Sequence, residues 1–218
     1  MAMIHNLSEK NSIFNHFISE IRDQSIQKDA MRFRRNLERI GEVLGYELSK
    51  TLSYSEHKIV TPLGIAETEL LDDQPVIATI LRAGLPLHQG VLNYFDKAES
   101  SFVSAYRKHH KSGEFEIHVD YLASSKINGK TLIITDPMLA TGQSMLSVYK
   151  ALLKMGVPNK IHLVVAIASQ EAVDFVMSKM PRNTELWVGV IDAELTAQSY
   201  IVPGLGDAGD LAYGTKEQ

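Results

Sequence analysis

The chain has 218 residues, enough for one domain with a substantial core and at most a small appendage. Its 44% hydrophobic and 22% charged content excludes a disordered chain, and a formal charge of −4 gives no global attraction for nucleic acid or anionic lipid. There is no cysteine, hence no disulfide framework or thiolate chemistry. No apolar run approaches the ~20 residues of a membrane span and no signal peptide is visible, so a cytoplasmic protein is expected.

Taken in chain order, Lys28 to Lys50 places Phe33, Leu37, Ile40, Leu44 and Leu48 three or four residues apart, which predicts a long amphipathic helix. Ser55 to Leu71 reads as two short strands around a turn at Pro62, Leu63 and Gly64. The run "PVIATIL", Pro75 to Leu81, is apolar throughout, as in a strand buried on both faces, and a helix follows its "RAG". "SFVSAYR", Ser101 to Arg107, is a further strand. "FEIHVDYL", Phe115 to Leu122, alternates and should be half exposed, with a turn at Asn128–Gly129 behind it. "KTLIIT", "KIHLVVAIA" and "ELWVGVI" are three more buried-type strands. Helices are expected between them at Ser144 to Met155 and Gln170 to Lys179. Strands alternating with helices predict an α/β fold with a mostly parallel sheet flanked by helices. Ligands of such sheets lie beyond the carboxyl ends of the strands, which directs attention to Arg82, Asp136 and Asp192.

At one strand end, "TDPMLATGQS", Thr135 to Ser144, sets a lone carboxylate before a small-residue loop and a helix start. Asp136 can accept from hydroxyls or hold a hydrated magnesium ion. Successive N–H groups from Thr141 to Ser144 suit a phosphate. A capped strand–turn–helix is the plainer reading, and this stretch alone leaves both open. At another end, "ILRAGL" places Arg82 where it could grip phosphate oxygens or simply face solvent. The tail "YIVPGLGDAGDLAYGT", Tyr200 to Thr215, has no helical or strand period, yet is too rich in glycine and aromatics for a loose end. Its backbone could read a small planar ligand, with Tyr200 as a wall.

Together these stretches carry a resemblance. "DPMLATGQS" resembles the phosphoribosyl-pyrophosphate signature of the type I phosphoribosyltransferases, in the proline-containing form of the uracil branch. "ILRAGL" resembles that family's pyrophosphate loop, "AYR" (Ala105 to Arg107) its next arginine, and the tail its uracil-binding end. "FRRNLERIGEVLGYEL" is similar to its N-terminal helix, so the match runs from about Asp23 to the C-terminus.

The resemblance implies a single domain over residues 1–218. A core of about 73–192 would carry a small hood from about 1–72 and 193–218, with a β-hairpin arm. It implies that Asp136, Pro137, Met138, Leu139, Ala140, Thr141, Gly142, Gln143 and Ser144 cradle the ribose 5-phosphate of phosphoribosyl pyrophosphate. Arg82 and Arg107 would hold the pyrophosphate and, with Asp207, carry catalysis. Uracil would meet Tyr200, Ile201, Gly206, Asp207 and Ala208. Magnesium would bind mainly through substrate and water, with Asp207 as a weak protein ligand. The implied reaction converts uracil and phosphoribosyl pyrophosphate to uridine monophosphate and pyrophosphate. Membrane and nucleic acid are not expected partners; a homodimer or higher homo-oligomer is, and GTP is a candidate effector.

The pattern departs at Gln143, where the family usually has a second glycine; this side chain either narrows the phosphate loop or adds an amide contact. "RKHHKSGEFE" also departs. It brings Lys108, His109, His110 and Lys111 near the expected pyrophosphate side, as a solvated loop or as an extra phosphate contact. "DAELTAQS" departs around Asp192, which stays a weak site candidate. The histidines show no metal-ligand spacing. A second function class stays in view, a pyrimidine-operon regulator that binds RNA on the same fold. It would want a basic face with interleaved aromatics, against the charge of −4.

Overall fold

The computed structural model describes residues 3–109 and 115–216, with the side chains of residues 106–118 outside the described set. A short strand β1 (Met3–Asn6) precedes helices α1 (Phe14–Arg22) and α2 (Ala30–Ser49). Asp29 caps α2 by accepting from the Arg32 amide, and Phe33, Leu37, Ile40, Leu44 and Leu48 are all buried along one face. The hairpin β2 (Tyr54–Thr61) and β3 (Gly64–Leu71) follows as a separate two-stranded sheet, exposed along nearly its whole length.

The alternating core then begins. It runs β4 (Val76–Leu81), α3 (Leu85–Leu92), β5 (Glu99–His109), β6 (Phe115–Ala123), β7 (Thr131–Thr135), β8 (Met138–Leu139), α4 (Gln143–Leu152), β9 (Lys160–Ser169), α5 (Gln170–Lys179) and β10 (Thr184–Asp192). The main sheet has the order β1-β10-β9-β7-β4-β5-β6, with β8 beside β9. Pairing is parallel except between β5 and β6. The strands read as continuous apolar runs are buried on both faces: Leu132, Ile134, Leu163 and Val165 pack under α4 and α5, while Ile77, Ile133, Val164 and Ala166 pack under α1, α2 and α3.

Several elements had no counterpart in the sequence reading, β1 and α1 among them. β1 adds a parallel edge strand to β10, with His5 opposite Trp187 and their rings stacked 3.7 Å apart. α1 buries Phe14, Ile18 and Ile21 against α2 and the sheet. The tail also has local order. β11 (Glu194–Leu195) pairs antiparallel with β12 (Ile201–Val202), and the last helix among the described residues is α6 (Ala208–Tyr213). No helix among the described residues is long and apolar enough to cross a membrane.

Candidate active site

β4 pairs with β5 on one side and β7 on the other, so chain order reverses across it. Helix α3, which follows β4, packs on one face of the sheet through Leu87 and Val91; α4, which follows β7, packs on the other through Met145 and Val148. The loops beyond β4 and β7 therefore diverge at the topological switch point, where ligands of such sheets bind. Their roots are locked together. Thr79 Oγ1 donates to the Thr135 carbonyl at 3.5 Å, and Thr135 Oγ1 donates to the Ala78 carbonyl at 3.2 Å. A side chain on Gly84 would lie 2.2 Å from Thr79 Oγ1 and 2.7 Å from the Ile80 carbonyl oxygen, so only glycine fits where the first loop crosses the strand ends.

The loop after β7 is held by its backbone. The Asp136 amide donates to the Val164 carbonyl at 3.1 Å, and the Ile167 amide donates to the Pro137 carbonyl at 3.0 Å. Met138 and Leu139 form β8 against β9, and Ser169 Oγ donates to the Ala140 carbonyl at 2.6 Å while also capping α5. Asp136 accepts weakly from the Met138 amide at 3.4 Å. The residue is half-buried as a whole, and desolvation raises its carboxyl pKa to about 7.

Gly142 then takes φ +75°, and a side chain there would lie 2.5 Å from Val176 Cγ2. It starts α4 with no side-chain cap, so the first helical N–H groups face outward beside the hydroxyls of Thr141 and Ser144, both half-buried. Gln143 is exposed and lacks a positive φ, so its position demands no glycine and its side chain lies in solvent rather than in the loop. Leu139 is also placed: its side chain is buried in the core, which leaves only its backbone for a ligand.

The tail closes on the first loop. Arg82 Nη2 donates to Asp210 Oδ1 at 3.3 Å and to the Gly214 carbonyl at 3.2 Å. A Cβ on Gly209 would lie 3.9 Å from Ala83 Cβ and from Arg82 Nη2. Asp207 caps α6 by accepting from the Asp210 amide at 3.0 Å, and Ile201 and Ala208 are buried. Gly206 has φ +95° with open space where a side chain would lie, and Tyr200 is half exposed. The loop thus brings Arg82 to Asp210 and Gly214 of the tail.

Arg107 lies on β5, three residues beyond Ser104, the partner of Leu81, but its side chain is outside the described residues, as are those of Lys108 to Lys111. Asp192 is an internal anchor: Arg22 Nη2 donates to both its oxygens at 2.8 Å, and the Gly204 amide donates to Oδ2 at 3.0 Å. The contacts of Asp210 and Ser169 were missed from sequence. Ser169 was readable as a helix cap three residues before Ala172, whereas nothing in the tail marked Asp210 as the partner of Arg82.

This arrangement places the chain among the α/β enzymes that hold a phosphorylated substrate at a sheet's switch point. A family model described as uracil phosphoribosyltransferase matches residues 8–215, and the chain belongs to that family. It is 55% identical over 216 residues to a uracil phosphoribosyltransferase of Porphyromonas gingivalis, covering 99% of this chain and all of that one. A uracil phosphoribosyltransferase of Pyrococcus furiosus is 36% identical over 209 residues, covering 94% of this chain and 88% of its own. Among solved structures, the AQ2163 protein from Aquifex aeolicus superposes with a TM-score of 0.85 at 31% identity, covering 97% of this chain and 98% of that one.

Proposed function

We propose that the chain transfers a phosphoribosyl group from phosphoribosyl pyrophosphate to uracil, releasing pyrophosphate and forming uridine monophosphate. The observation that carries this reading is the Arg82 contact with Asp210 and Gly214, which joins the loop assigned to the leaving group to the tail assigned to the base.

Phosphate would lie on the uncapped start of α4, where Gly142 lets the backbone turn toward it. Asp136, beside that helix start, would accept from the ribose hydroxyls. The bond from the anomeric carbon to the pyrophosphate oxygen breaks, a uracil nitrogen forms the new bond at that carbon, and the uracil proton leaves to solvent or pyrophosphate. Arg82 and Arg107 neutralise the departing charge, and the rate enhancement rests on positioning and electrostatics.

Among the described residues no three acidic or histidine side chains form a metal cluster. Asp136 and Asp207, as isolated carboxylates, fit a magnesium ion that arrives on substrate oxygens and keeps most of its waters. Such an ion would supply further neutralisation of the leaving group. The uracil edges would pair with backbone groups of Ile201 and Gly206 to Ala208. The chain is proposed to act in the cytoplasm as a homodimer or larger, with the exposed β2–β3 arm as the contact element.

The test is an assay of pyrophosphate release with phosphoribosyl pyrophosphate, magnesium and a panel of bases. Release that depends on uracil supports the reading; no release with any pyrimidine overturns it. No observation favours the RNA-binding alternative, which filter binding with a pyrimidine-operon leader RNA would probe.

A further inference from the structure

Arg22 ends α1, and Asp192 ends β10 on the same side of the sheet. Arg22 Nη2 donates to both carboxylate oxygens of Asp192 at 2.8 Å, and Asp192 Oδ2 also accepts from the Gly204 amide at 3.0 Å. The carboxylate is almost wholly buried, with a side-chain exposure of 5% against 22% for the arginine. Gly204 occupies a tight turn, with φ +54° and room for no side chain: a Cβ would lie 2.1 Å from the Ile201 carbonyl oxygen. Gly204 therefore lies between the two stretches assigned to the base, packed on the Ile201 carbonyl and two residues before Gly206.

The other end of the relay is rigid. α1 is fastened into the core by Phe14, Ile18 and Ile21, and the Arg22 carbonyl accepts from Gln27 Nε2 at 3.0 Å. Buried ion pairs of this kind contribute little net stability compared with apolar residues of the same volume, because desolvation offsets their attraction. What such a pair does well is fix the direction of a group bonded to it.

We infer that Arg22 and Asp192 are positioning residues for base recognition, holding the Ile201–Ala208 loop in register through the Gly204 amide. The inference rests on the proposed uracil role of that loop. It gives the N-terminal segment a task in catalysis, although neither residue touches the expected substrates.

The test measures KM for each substrate, kcat and the thermal midpoint for Arg22→Met, Arg22→Lys, Gly206→Ala and the core variant Ile21→Val. Gly206→Ala alters the backbone assigned to the base and should raise the uracil KM. Arg22→Met should raise the uracil KM about tenfold while the phosphoribosyl pyrophosphate KM stays within about twofold, and Arg22→Lys should recover part of the loss. Ile21→Val should lower the thermal midpoint and move neither KM, which separates positioning from plain destabilisation. If Arg22→Met does not fold, the double variant Arg22→Met with Asp192→Leu removes both charges, and it should keep the high uracil KM. A normal uracil KM in whichever of these two folds overturns the inference, provided Gly206→Ala raises it. An unchanged uracil KM in Gly206→Ala overturns the base assignment of the loop, and this inference with it.

Discussion

Arg82 donates to Asp210 across 3.3 Å, and so fastens the loop after β4 to helix α6. Both side chains are part-exposed, at 40% and 33%, so the pair adds at most about 1 kcal/mol to stability. In the proposed reaction its weight is functional, because one arginine would face both the leaving group and the base. Arg82→Ala should raise KM for both substrates by about tenfold, whereas Arg107→Ala should chiefly lower kcat and leave the uracil KM near normal. Initial rates with each substrate varied in turn distinguish the two patterns. An Arg82→Ala enzyme altered only toward phosphoribosyl pyrophosphate would refute the bridging role.

Asp136 makes stability depend on pH. Its carboxyl pKa rises from 3.8 to about 7 on folding, so the folded state binds a proton more tightly than the unfolded chain. The carboxyl costs nothing below the unfolded value; its destabilising effect grows as pH rises toward 7 and is constant above. Asp136→Asn should therefore melt several degrees above the parent at pH 8, with the gap closing as pH falls to about 4. Melting curves across that range test the sign. In catalysis the same variant should weaken phosphoribosyl pyrophosphate more than uracil.

Gly142 is constrained twice, by a left-handed φ of +75° and by Val176 at 2.5 Å from any added carbon. Gly142→Ala should cost about 3 kcal/mol in stability, from backbone strain plus overpacking, and should raise the KM for phosphoribosyl pyrophosphate. Denaturant unfolding and steady-state rates measure both. Gln143→Gly should leave the phosphoribosyl pyrophosphate KM within about twofold, since the side chain lies in solvent at an ordinary helical position.

Base choice should follow the hydrogen-bonding pattern. Backbone groups that pair with uracil's carbonyls and ring N–H would leave cytosine's amino group facing donors, at a discrimination of roughly a thousandfold or more in kcat/KM. Small 5-substituents should be tolerated. Comparable turnover of cytosine in the base panel would contradict backbone recognition by the tail.

The strands from Val76, Thr131, Lys160 and Thr184 were legible because burial on both faces writes itself as an unbroken apolar run. α1 carried a signal too, Phe14, Phe17, Ile18 and Ile21 at helical spacing, but it is short and lies beyond the resemblance. β1 carried none: four residues joined to a parallel neighbour cannot show a period of their own. In the candidate site, Asp136, Gly142 and Arg82 stand in the loops beyond β4 and β7, the strand ends that the sequence reading singled out. The ion pair of Asp192 was not readable, because a carboxylate at a strand end looks the same whether it faces a ligand or a buried arginine; the partner, Arg22, lies 170 residues away in sequence. α6 was hidden because glycine, alanine and aspartate give a six-residue helix no amphipathic stripe, although Asp207 is a readable cap.

The β2–β3 arm carries Val60 at 85%, Leu63 at 100% and Ile65 at 68% exposure. Such residues touch almost nothing within their own chain, so their replacement should be silent in the unfolding of a dilute, isolated chain. With the proposed oligomer formed through this arm, an Ile65→Lys or Leu63→Asp change should register instead in sedimentation and in the concentration dependence of melting. For this hairpin, tolerance to mutation is a property of the solution rather than of the fold.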